Sequence, residues 1–113
     1  MGTAMAVKAD LRSWEHRTKL RRGRPRAFAE WRALRRWGKL PPWERQIPGY
    51  LLRLARIEAG LNQAELAGRL GVTQQAISRT EQWSSNPTVA MMESWLEACG
   101  QALVIEVSSG TAQ

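Results

Sequence analysis

Apolar residues recur at helical spacing along most of the chain from Phe28 onward. Phe28, Trp31 and Leu34 share one side of residues 27–37, and Gly38 is a stop, so a helix is predicted over 27–38. Pro41-Pro42 breaks the chain, leaving room for one further turn over 43–46. From Ile47 the pattern sharpens. Pro48 suits the first turn of a helix, where its missing N–H is harmless, and Gly60 suits the end. Leu52, Ala55 and Arg56 line one face of that helix, while Tyr50, Leu54 and Ile57 form a second apolar stripe against which Phe28, Trp31, Leu34 and Trp37 are expected to pack. Asn62 can cap the next helix, Gln63–Leu70, which stops at Gly71. Thr73 can cap a third, 74–81, by accepting a bond from an unpaired first-turn N–H. A polar loop with Asn86-Pro87 leads to Thr88, the cap of a fourth helix over 89–99 that Gly100 closes. Leu103, Val104, Ile105 and Val107 make a short run that reads as a strand. A lone strand cannot satisfy its backbone, so 102–107 is expected to pair antiparallel with its copy in a second subunit.

Charge divides the chain where the pattern does. Residues 1–47 carry 13 Lys/Arg against 4 Asp/Glu, and residues 48–113 carry 4 against 6, within an overall net charge of +7. A basic extension, 1–46, therefore precedes a domain over 47–107 and a frayed tail over 108–113. Residues 1–26 have little apolar periodicity and read as mobile. Such asymmetry points to a polyanionic partner or to a merely solvated arm. Within the arm, Arg22-Gly23-Arg24-Pro25 matches the core of an AT-hook, so Arg22, Arg24 and Arg26 are candidates for minor-groove or backbone contact.

The segment from Leu66 to Thr73 joins two short helices through a tight turn, the anatomy of a helix-turn-helix. Ala64, Leu66, Ala67 and Leu70 supply the inward face of the first, Gly71 the turn residue tolerant of positive φ, and Ile77 the anchor beneath the second. Gln74, Gln75, Ser78 and Arg79 point away from that anchor and are types that hydrogen-bond base edges or phosphates.

Residues 49–100 resemble the DNA-binding domain of the Xre family, which includes the lambda-type repressors and Cro proteins. The matching residues are Arg56, Gly60-Leu61-Asn62-Gln63-Ala64-Glu65-Leu66-Ala67, Gly71, Thr73-Gln74-Gln75-Ala76-Ile77-Ser78, Glu81 and Asn86-Pro87-Thr88. The resemblance implies a mainly α, lambda repressor-like fold, here with a basic N-terminal extension containing one helix and a short C-terminal strand. It implies that Gln74, Gln75 and Arg79 read bases, that Gln63 contacts phosphate, and that Arg56 pairs with Glu81. Asn62, Thr73, Ser78, Ser84 and Asn86 are assigned to phosphate beside Gln63. Three departures stand out: Thr80 where an apolar residue usually precedes the Glu, Gln82-Trp83 where a Gly commonly follows the reading helix, and a strand where phage repressors add a fifth helix. The last resembles the antitoxin branch, whose members repress their own operon and neutralise a protein toxin; β-augmentation of a toxin's sheet then competes with the homodimer.

Other chemistry finds little footing. A single Cys99 forms no internal disulfide and fits a reducing cytoplasm; with one His, His16, it assembles no metal site, and no cofactor motif is present. Trp95, Met92, Leu96 and Cys99 recur at core spacing, and Trp83 reads equally as a partner contact or as packing on the fourth helix. Glu58, Glu65, Glu93 and Glu97 are spread over separate helices, giving no carboxylate pair for acid–base catalysis. No apolar run is long enough to span a membrane, and Met1 to Trp14 lacks the apolar stretch of a secretory signal. The expected protein is a non-enzymatic regulator with double-stranded DNA as its partner.

Overall fold

Local capping sets the starts of three of the five helices among the described residues. A computed structural model of the chain describes residues 6–10 and 26–106; Arg22, Arg24 and the expected tail lie outside them. The elements are β1 (Ala6–Asp10), α1 (Phe28–Arg36), α2 (Pro48–Glu58), α3 (Gln63–Leu70), α4 (Gln74–Thr80), α5 (Val89–Ala98) and β2 (Ala102–Glu106). The protein is mainly α, as the pattern implies. Asn62 and Glu65 form a reciprocal capping box at the start of α3, Thr73 accepts from the Ala76 N–H at 3.1 Å, and Thr88 accepts from the Met91 N–H at 3.0 Å. Gly71, in the left-handed region at φ 66°, turns the chain between α3 and α4 without the Cβ penalty other residues would meet.

One hydrophobic cluster runs from Trp31 through Leu40, Ile47, Leu52, Leu66 and Ile77 to Trp95 and Leu96. Trp95 is fully buried and its indole N–H donates to the Leu52 carbonyl at 3.0 Å, tying α5 to α2. Helix α1 belongs to this core. Trp31 is also fully buried, its ring 5.3 Å from Tyr50 and 5.9 Å from Phe28, and its N–H donates to the Glu44 carbonyl at 2.7 Å. The Tyr50 hydroxyl donates to the Arg26 carbonyl at 2.8 Å. Buried Trp and Tyr need such partners for their polar ends, and both have them.

Two expectations need correction. Trp37 does not join Phe28, Trp31 and Leu34 against α2; it is 73% exposed. Strict three-residue spacing falls about 60° short of a full turn at each step, so the stripe walks round the helix and ends facing away from its start. The terminal strand also has a partner within its own chain. β2 pairs in parallel with β1, from Ala6 opposite Ala102 to Asp10 opposite Glu106, although the segment holding β1 reads as mobile in the sequence. Parallel pairing needs a long crossover, and here the helical domain supplies it.

Candidate nucleic-acid interface

The interface is built on α3 and α4. Leu66 and Ala67 of α3 face the core, and Ile77 is the one fully buried residue of α4. With Ile77 inward, helical periodicity turns Gln74, Gln75, Ser78 and Arg79 outward, and all four are exposed. Together they give one polar face of amides, a hydroxyl and a guanidinium.

A buried polar knot holds the end of this helix. Glu81, its C-cap, is 3% exposed and Arg56 of α2 is 8% exposed. Arg56 donates through Nε and Nη2 to the two carboxylate oxygens, at 2.5 and 3.0 Å, and through Nη1 to the Leu61 carbonyl at 2.8 Å. Gln63 Nε2 donates to Glu81 Oε1 at 2.9 Å. The fork thus locks α4 onto α2, and the first residue of α3 joins the same carboxylate. An amide nitrogen has two N–H groups, so Gln63 retains one for an outside acceptor while held in place by the other.

The remaining sequence candidates fall around this face. Asn62, Thr73, Ser84 and Asn86 are exposed, with the side-chain oxygens of Asn62 and Thr73 engaged in capping. Arg26 is engaged within the chain. Its guanidinium is held by the Glu44 carboxylate at 2.9 Å and lies 3.4 Å from that of Glu30, and the Glu44 contact holds its pKa above the ordinary arginine value. These contacts tie Arg26 to α1 and to the turn that precedes α2.

Two of the departures from the family pattern have physical explanations. Thr80 donates to the Ala76 carbonyl at 2.8 Å, and Ser85 Oγ donates to the Thr80 carbonyl at 2.5 Å, so hydrogen bonds replace an apolar contact. Among the described residues only Gly38, Gly60, Gly71 and Gly100 have positive φ, so the loop after α4 needs no glycine and accommodates Gln82. Trp83 packs half-buried against the core. Sequence reasoning missed Gly49: a Cβ there would lie 2.1 Å from the Gln82 carbonyl oxygen and 2.8 Å from that of Thr80. α2 and the loop after α4 meet at that glycine. The one available signal was a glycine in the first turn of a helix, where other residues are favoured.

Among the described residues no helix is long and apolar enough to cross a membrane. Residues 52–104 match the helix-turn-helix family model. No curated protein and no solved structure matches the chain. The match begins on the buried face of α2, takes in α3, its turn and α4, and ends in β2; residues 52–104 are thus a helix-turn-helix domain of the Xre, lambda repressor-like family, a DNA-binding regulatory fold.

Proposed function

We propose that the protein is a sequence-specific repressor that binds a palindromic operator as a homodimer. The observation that carries this reading is the exposed face of Gln74, Gln75, Ser78 and Arg79 on a helix pinned from beneath by Ile77 and at its end by Glu81. Side chains discriminate bases only when the element beneath them is held still. A Gln amide matches adenine N6 and N7, and the Arg79 fork matches guanine O6 and N7. Asn62, Gln63, Thr73, Ser78, Ser84 and Asn86 ring this face and take phosphates, which set register without carrying sequence information. Arg22 and Arg24 in the basic arm add sequence-independent affinity.

Two copies joined across the outer edge of β2 would read a palindrome by setting their reading helices about 34 Å apart, one turn of the duplex, on one face. Val104 and Ile105 on that strand are 37% and 39% exposed, which supports an interface there. The same edge favours a second reading, an antitoxin whose strand extends a toxin's sheet while the helix-turn-helix represses the operon. Sedimentation of the protein alone at tens of micromolar, the range of a weak interface, separates the two: a dimer supports the first and a monomer the second.

The base-reading assignment is tested on a duplex selected from a random pool. Gln74→Ala is expected to cost about 1–3 kcal/mol on the selected duplex and almost nothing on a scrambled one. Equal weakening on both overturns the placement of the reading helix.

A further inference from the structure

Helices α1 and α2 carry a basic groove that the helix-turn-helix does not account for. It has a volume of about 660 Å³ and is lined by Arg32, Arg36 and Arg53 together with Phe28, Trp37 and Ile57. Arg32 and Arg36 lie outside the residues matched by the family model. The ion pairs among the described residues join Arg26 to Glu30 and Glu44, and Arg56 to Glu81; none involves these three arginines. Glu58 shares a neighbouring depression with Arg32 and Arg36 but forms no ion pair with them.

Arg53 is held by a ring instead of a carboxylate. Its guanidinium carbon lies 4.2 Å from the centroid of Phe28, and its Nε is buried without a hydrogen-bond partner. A planar cation stacked this way is oriented without consuming its outward N–H groups. The groove is also continuous with the reading face. Phe28 and Arg53 line a second cleft, of about 490 Å³, together with Gln63, Ser78 and Gln82. Arg53 therefore stands between the proposed phosphate ligands and the two arginines of α1.

We infer that this groove is a second nucleic-acid contact, in which Arg32, Arg36 and Arg53 bind backbone phosphates of the duplex running past the reading helix. The inference rests on the DNA-binding reading above. Like charges gathered without counterions repel one another, and a polyanion relieves that repulsion. Phosphate suits the guanidinium fork, which can donate two parallel N–H bonds to it. Continuity with the reading face favours nucleic acid over an acidic protein segment as the occupant.

The test uses the full chain and a mixed-sequence duplex, titrated at several salt concentrations. Arg32→Gln/Arg36→Gln alters one exposed and one half-buried side chain on a helix surface, and Arg53→Gln removes the third charge; circular dichroism and thermal melting check that each variant is folded. Each lost phosphate contact is expected to flatten the plot of log affinity against log salt by about 0.9, so the triple variant loses nearly 3 from its slope. Raising salt roughly fourfold then costs the triple variant some 40-fold less affinity than it costs the parent. The loss is the same on selected and scrambled duplexes. Unchanged slope and affinity in a folded triple variant overturn the inference, and do so most sharply if the same variant no longer binds polyglutamate, which assigns the groove to an acidic protein. Gln74→Ala on the same duplexes probes the reading helix separately: it is expected to lose preference among sequences with its salt slope intact, so the two readings fail independently.

Discussion

Glu81→Ala removes a carboxylate that accepts two bonds from Arg56 and one from Gln63, and leaves the Arg56 guanidinium with the Leu61 carbonyl as its remaining acceptor. The charge left behind is nine-tenths buried between α2 and the core, where water cannot replace the lost partner. Breaking a buried pair from one side costs about 3–5 kcal/mol. The orphaned Gln63 donor adds roughly 1 kcal/mol if it does not turn to solvent. Against a total of about 5–15 kcal/mol for a small domain, the variant loses a large share of its stability. With a urea dependence of about 2 kcal/mol per molar, the unfolding midpoint falls by about 2 M. Tryptophan fluorescence follows the titration, because Trp31 and Trp95 are both fully buried in the native state. The companion variant Arg56→Met/Glu81→Leu removes both charges and fills the space with apolar atoms, and is expected near or above the parent in stability. A midpoint unchanged by Glu81→Ala refutes the buried pair; so does a double variant as unstable as the single one.

Gly49→Ala drives a Cβ into the backbone carbonyls of Gln82 and Thr80 and is expected to lower stability by about 1–3 kcal/mol in thermal melts, whereas Gly68→Ala, which meets nothing within 4 Å inside α3, should raise it by about 0.5–1 kcal/mol. Equal effects at the two glycines would contradict the close approach of α2 to the loop. Trp31→Ala should cost about 3–5 kcal/mol and Trp37→Ala less than about 0.5, a contrast in urea midpoints that fails if α1 sits outside the core. Burial pushes the Cys99 thiol above its ordinary pKa, against the opposing pull of Arg69 and Arg56, so less thiolate is present at mildly alkaline pH. Iodoacetamide should alkylate Cys99 more slowly in the native protein than in urea; faster native labelling contradicts that direction.

Helix ends governed by neighbours in the chain are legible in the amino-acid sequence by itself. The Asn62–Glu65 capping box, the Thr73 and Thr88 caps and the left-handed Gly71 involve bonds or torsions spanning three or four residues, so residue type and spacing suffice to specify them. The outward face of α4 is legible for a similar reason, since one buried anchor, Ile77, sets the direction of every other side chain on so short a helix.

Contacts between distant segments were decided only by the tertiary structure. β1 has too little β-branched or alternating character to read as a strand and becomes one by pairing with the far end of the chain. Helix α1 packs on the Tyr50 stripe as its periodicity implies, but the Glu44 carbonyl that accepts from the Trp31 indole N–H is named by no local pattern. That docking leaves Trp37 in solvent, and the groove between α1 and α2 brings Arg32 and Arg36 to Arg53 beside the exposed face of α4. Periodicity says that an apolar stripe will be buried, but which stripes meet depends on a choice among several packings of similar area. Close-packed rings and the need to pair each buried polar atom make that choice, and both act between residues far apart in sequence.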